Sequence, residues 1–185
     1  MFRLVYNGHS IEVIIHPEQQ VFYDGREVSR KNRMLRTSHH EFNVTENGKD
    51  ARYSVIIKSF IGGTTFCGIG GGYKVIRDGE AIFNCDATTF SMIYNGHRIE
   101  ALDSMPLPVW FKTIRIDGEK VIRKLQKPIG TMTFDIFVPE NSNEVNYEIR
   151  ITHKAGITMA HYTLHKNGKL ILTSDTGFEP PEIIY

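Results

Sequence analysis

The chain contains itself twice. Tyr6-Asn7-Gly8-His9-Ser10-Ile11-Glu12 returns as Tyr94-Asn95-Gly96-His97-Arg98-Ile99-Glu100, identical at six of seven positions. The match continues in order. Val21–Gly25 corresponds to Ile114–Gly118, Arg30-Lys31 to Arg123-Lys124, and Phe42–Val44 to Phe134–Ile136. Tyr53–Ile57 then corresponds to Tyr147–Ile151, and Tyr73–Gly79 to Tyr162–Gly168. Self-similarity at a fixed period marks a folding unit used more than once. The 185 residues divide accordingly into a first repeat over 1–87, a second over 88–175 and a tail over 176–185.

The repeated unit is built from β-hairpins. Asn-Gly and Asp-Gly recur between short apolar stretches, at Asn7-Gly8, Asp24-Gly25, Asp78-Gly79, Asn95-Gly96, Asp117-Gly118 and Asn167-Gly168. These dipeptides tolerate positive φ at both centres of a type I′ turn, which makes them the strongest short hairpin signal. The flanks alternate in polarity or are rich in β-branched and aromatic residues, as from Tyr53 to Ile57 and Thr131 to Val138. No stretch shows helical apolar spacing over helix length; Arg26–Arg36 comes nearest and lacks an apolar face. The prediction is an all-β chain, a tandem duplication of a small antiparallel sandwich of about eight strands.

Each repeat thus reads as an Ile-Glu strand, an apolar strand into Asp-Gly, a basic Arg-Lys pair, a Phe-containing strand, and a Tyr strand closed by Asp-Gly or Asn-Gly. Val21–Lys31 and Tyr73–Asp86 carry the pattern best. In this the chain resembles the Fas apoptotic inhibitory molecule family. The resemblance implies two related all-β domains in a cytosolic, non-enzymatic protein. Such a protein acts through protein partners in survival signalling or protein quality control. The resemblance carries over no catalytic residue. The glycine-rich insertion at 62–72 and the Pro180-Pro181 tail depart from its pattern.

Charge narrows the partners. Lys+Arg number 22 and Asp+Glu 21, a net charge of +1, so there is no global electrostatic case for nucleic acid. No apolar run approaches the roughly 20 residues that span a bilayer. The N-terminus shows no signal-peptide pattern, so the expectation is a soluble cytoplasmic protein in which Cys67 and Cys85 are reduced thiols.

Candidate chemistry is sparse. Gly62–Gly72 matches neither the P-loop nor the dinucleotide pattern and reads as a loop or bulge. The eight histidines lack metal-ligand spacing, and His9 and His97 read as equivalent exposed turn residues. Asp24, Asp78, Asp117 and Asn167 sit where turns select Asp and Asn for local reasons. The basic residues are more informative. Arg26, Arg30, Lys31, Arg33 and Arg36 crowd one hairpin against Glu27; Lys112, Arg115, Lys120, Arg123, Lys124 and Lys127 crowd its counterpart, offset by Asp117 and Glu119. They read either as a docking surface or as solvated edge-strand charges that block sheet-to-sheet aggregation. Trp110, in the inserted Met105–Phe111 segment, is either a partner anchor or a plug.

The leading expectation is a non-catalytic protein-interaction module, with neither cofactor nor metal. Its candidate contacts are Arg26, Arg30, Lys31, Arg33, Lys120, Arg123, Lys124 and Trp110. A binder of small ligands or anionic lipid headgroups is the alternative. An enzyme with a site at the glycine-rich loop is a further one.

Overall fold

The computed structural model describes residues 2–15, 18–32, 37–58, 72–85, 89–104, 111–125, 130–153 and 160–173. They form an all-β structure of four consecutive meanders. The first contains β1 (Phe2–Tyr6), β2 (His9–Ile14), β3 (Gln19–Tyr23) and β4 (Arg26–Lys31). The second contains β5 (Ser38–Glu46), β6 (Lys49–Lys58), β7 (Gly72–Arg77) and β8 (Glu80–Cys85). The third contains β9 (Thr89–Tyr94), β10 (His97–Ser104), β11 (Phe111–Ile116) and β12 (Glu119–Leu125). The fourth contains β13 (Gly130–Glu140), β14 (Asn143–His153), β15 (Ala160–Lys166) and β16 (Lys169–Thr173). No helix among the described residues is long and apolar enough to cross a membrane.

Two eight-stranded antiparallel sheets result. One has the order β13-β14-β15-β16-β1-β2-β3-β4, the other β12-β11-β10-β9-β8-β7-β6-β5. Each sheet therefore takes four strands from each repeat. The repeats are joined by β1 pairing with β16 and β8 with β9. The chain crosses between sheets after β4 and again after β12. Each repeat thus spans the sandwich and leaves its inner strands for the other repeat to pair.

The two-fold repeat of the sequence conceals a four-fold one. In every meander the second turn carries Asp or Asn at positive φ: Asp24, Asp78, Asp117 and Asn167, at 47° to 51°. Each of these N–H groups donates to a carbonyl in the neighbouring hairpin, that of Ser10, Arg52, Arg98 or Asn146, at 2.8 to 2.9 Å. Each side-chain oxygen accepts the N–H of that same residue in return, at 2.7 to 3.1 Å. Four residues after that Asp or Asn, on the fourth strand, every meander also has a bulge, which skips Val28, Ile82, Val121 or Ile171. Such bulges increase the local right-handed twist.

Alternate residues point inward and form one core. Phe2 and Leu4, Ile11 and Val13, Tyr53 and Val55, and Tyr147 and Ile149 are fully buried in it. Equivalent aromatic stacks bridge the sheets. Phe2 lies 4.8 Å from Tyr73 at 11°, and Phe90 lies 5.4 Å from Tyr162 at 10°. The register also corrects the repeat alignment by two residues. Phe42 pairs with Tyr53 and Ile136 with Tyr147, so Phe42 is equivalent to Ile136 rather than Phe134. Cys85 is buried and disulfide-bonded, which differs from the reduced thiol expected of it. Gly62–Gly71, Arg33, Arg36, Trp110, Lys127 and the tail 176–185 lie outside the described residues.

The shared sheets make a testable demand. Fragments 1–87 and 88–185, prepared separately, should each lack cooperative thermal unfolding and near-ultraviolet dichroism, and should regain both when mixed. Independent cooperative unfolding of either fragment would contradict the dependence of each repeat on the shared sheets.

Candidate functional site

The sandwich has two seams where sheet edges meet. β4 and β5 are the edges at one end, β12 and β13 at the other. The two basic hairpins predicted as one class of contact are thus placed at opposite ends. The repeat makes them directly comparable: Ser29 pairs with Val21 as Ile122 pairs with Ile114, so Glu27, Arg30, Lys31 and Asn32 are equivalent to Lys120, Arg123, Lys124 and Leu125.

The β4–β5 seam satisfies itself. The Arg30 guanidinium donates to Glu27 at 2.9 and 2.6 Å and to Glu18 at 3.0 Å. The Lys31 ammonium donates to the His39 carbonyl across the seam. His40 is fully buried between two hydroxyls. Its Nδ1 lies 2.9 Å from Ser29 Oγ and its Nε2 3.0 Å from Ser38 Oγ. Burial, helped by the nearby charge of Lys31 and by His39, pushes its pKa down to about 4. Arg26 is exposed at the start of β4.

The β12–β13 seam keeps the tie and loses the neutralisation. Lys124 Nζ donates to the Thr133 carbonyl at 3.0 Å and lies 5.0 Å over the Phe134 ring. Lys120 stands where the first repeat has Glu27, and Phe111 stands where it has Glu18. Arg123 lies 4.2 Å over the Phe111 ring. The apolar balance shifts as well. Val121, Leu125 and Phe137 are 48%, 59% and 58% exposed. Their equivalents are Val28, which is half-buried, Asn32 and Asn43.

One member of the expected charge run is not at the surface. Lys112 is fully buried, its Nζ 3.0 Å from Tyr162 Oη and 5.3 Å over that ring. It is the second residue of β11, on the face that points inward, and its equivalent Gln19 is buried too. His9 and His97 are half-buried rather than exposed. Each holds the turn aspartate of the next hairpin through Nδ1, Asp24 at 2.7 Å and Asp117 at 2.8 Å. Burial opposes ionisation of Asp24, but the bonds from His9 and Ser10 prevail and hold its pKa low. The bond from His97 is the largest cause lowering Asp117.

Two further carboxylates escaped the sequence reading. Glu46 is buried and accepts from Tyr23 Oη at 2.7 Å, Tyr53 Oη at 2.6 Å and the Arg77 guanidinium at 2.8 Å. Burial raises its pKa, yet these three donors outweigh burial and hold it below the ordinary value. Burial and the carboxylate together push both tyrosines well up. Glu140 repeats the arrangement with Tyr147, with Lys166 at 2.6 Å and with Asn95 at 3.3 Å. The spacing Glu46 to Tyr53 equals Glu140 to Tyr147, and that identity was the available signal. Both sets close a hairpin onto the core, so their role is structural.

Other candidates are weaker. Among the described residues no group of three or more His, Cys, Asp or Glu could hold a metal ion. Where β16 and β1 splay beyond Leu4 and Leu172, a groove of about 330 Å³ opens beside Arg3, Asp24 and Lys169. Arg3 is committed to Glu12 there at 3.3 Å. No family model, curated protein or solved structure matches the chain.

Two measurements test these assignments. Glu46→Gln leaves Arg77 with the exposed Asp78 carboxylate alone, removes the acceptor that Tyr23 and Tyr53 share, and should cost about 2–3 kcal/mol in urea unfolding at pH 7. A loss under about 0.5 kcal/mol, the level of an exposed ion pair, would refute the clamp. For His40, the folded pKa of about 4 lies below the ordinary 6.5, so between these values the unfolded chain binds the extra proton. Its contribution to stability is therefore full above pH 6.5 and is lost as pH falls towards 4. His40→Gln should flatten the stability profile over that window relative to the parent, and an unchanged slope would place the titration elsewhere.

Proposed function

We propose that the protein is a non-catalytic protein-interaction module that engages its partner through the β12–β13 end of the sandwich. One observation carries this reading. The same seam is built twice, and only one copy presents Val121, Leu125 and Phe137 to solvent. Exposed apolar side chains grouped at one site mark interaction surfaces, whereas scattered ones need no explanation. The first repeat shows that the fold does not require them, since Asn32 and Asn43 serve at two of the three positions. The glutamates and turn aspartates support the reading from the other side, because their donors hold them as structural clamps. The sequence resemblance to the Fas apoptotic inhibitory molecule family points the same way. It would put the partner in survival signalling or protein quality control.

The test compares captures rather than counting them. Tagged protein is cross-linked in native extract alongside Leu125→Asp and Phe137→Ser variants of unchanged cooperative unfolding. A polypeptide recovered with the parent and lost with both variants is the expected outcome. No recovered polypeptide, or equal recovery with the variants, would overturn the reading.

A further inference from the structure

The β12 edge also has a chemistry that selects its occupant. Among the described residues β12 closes its sheet and pairs in the ladder with β11 alone, so its outer backbone N–H and C=O groups face away from that ladder. A free edge of this kind is completed by an added strand, with main-chain bonds for affinity and alternate side chains for selectivity. Leu125 lies opposite Phe111 in the ladder, and Arg123 covers that same ring. Arg123 and Leu125 are two residues apart and share a face, so cation and apolar group stand side by side.

The charge on this edge is unbalanced. Lys120, Arg123 and Lys124 share β12 with a single carboxylate, Glu119. At the opposite end the equivalent of Arg123 is held by two carboxylates, Glu27 and Glu18. Here those two positions are Lys120 and Phe111. Two copies of so cationic an edge repel each other, and the bulge at Val121 further disfavours pairing like with like. An anionic strand removes the repulsion and supplies what Glu18 and Glu27 supply in the first repeat.

Resting on the module reading above, we infer that β12 takes an extended acidic segment of a partner protein as an added antiparallel or parallel strand. The recognised pattern is apolar-x-carboxylate-x-apolar. The carboxylate meets Arg123, Lys120 adds to the attraction, and the flanking apolar residues cover Val121 and Leu125.

The full chain is titrated by fluorescence anisotropy into a labelled peptide, Thr-Val-Thr-Glu-Thr-Val-Thr. Companion peptides carry Lys for Glu, or N-methyl groups on alternate amides. The acidic peptide should bind, and K120E/R123E should weaken it at least tenfold, while Lys49→Glu leaves it unchanged. Arg123→Gln, with less effect on the edge's charge, should give an intermediate loss. N-methylation should abolish binding if the backbone ladder carries it. Equal binding of the Lys peptide, indifference to K120E/R123E, or retained binding after N-methylation would overturn the inference. So would loss of anionic-vesicle binding in K120E/R123E while the peptide fails to bind, which would assign the cations to a membrane. If the acidic peptide fails but capture in extract still depends on Leu125, the module stands and only its acidic partner falls. If capture fails too, both fall.

Discussion

The reciprocal bond at the second turn of each meander organises the molecule. An Asp or Asn at positive φ donates its N–H to the neighbouring hairpin and takes that residue's N–H on its side chain. Few residues satisfy both demands, since most side chains resist that φ and the rest lack the acceptor. The pair fixes where the second strand sits against the turn that follows the third. In a strand, a slip of one residue turns every inward side chain outward. Four such pairs therefore set the register that buries Ile11, Tyr53, Ile99 and Tyr147. The bulge beside each turn adds twist, which lets eight-stranded sheets pack face to face.

With that framework repeated, the molecule contains its own comparison. Five residues before the turn Asp or Asn, each meander has Gln19, Tyr73, Lys112 or Tyr162 on its third strand, and all four are buried. Tyr73 and Tyr162 stack on Phe2 and Phe90 from the opposite sheet. Lys112 then bonds Tyr162 from its own sheet, so its amine sits in the core against a phenol and its π face. Burying an ammonium is costly without such partners. The same position in Tyr73 feels burial alone, which pushes its pKa up to about 12.

What the sequence made legible was local. Asn-Gly and Asp-Gly fix turns through backbone conformation, and alternation fixes which residues point inward, so all-β architecture and hairpin order could be read directly. The pairing of β8 with β9 and β16 with β1 could not be read, because no turn residue encodes which sheet a meander joins. The quarter repeat was hidden for a related reason. Its marks are an Asp or Asn and a β-branched bulge residue, too few to align without the register. Glu46 and Glu140 resembled ordinary hairpin acids, and their donors Tyr53 and Arg77, or Tyr147 and Lys166, converge only once β5, β6 and β7 lie side by side. Lys112 was misread because it was grouped with the cations of its hairpin, while strand alternation places it inward with Ile114 and Ile116 and leaves Arg115 exposed.

The basic residues show why residue type alone could not define a contact surface. Lys31 and Lys124 are conserved between the repeats because each ammonium ties one sheet edge to a carbonyl of the other. Arg30 and Arg123 are also identical, yet their surroundings invert. One is neutralised by two carboxylates, and the other lies over an aromatic ring beside a lysine. Solvated edge charges that merely prevent aggregation have no need to shed their counter-charges on one copy alone, nor to acquire Val121, Leu125 and Phe137 on the edge strands of that same end. An edge guarded only against other sheets would keep Lys120 and drop the exposed apolar groups, since these attract the association that the charge is meant to deter. Their joint presence on β12 and β13 fits a surface that repels its own kind while remaining adhesive to a segment of opposite charge.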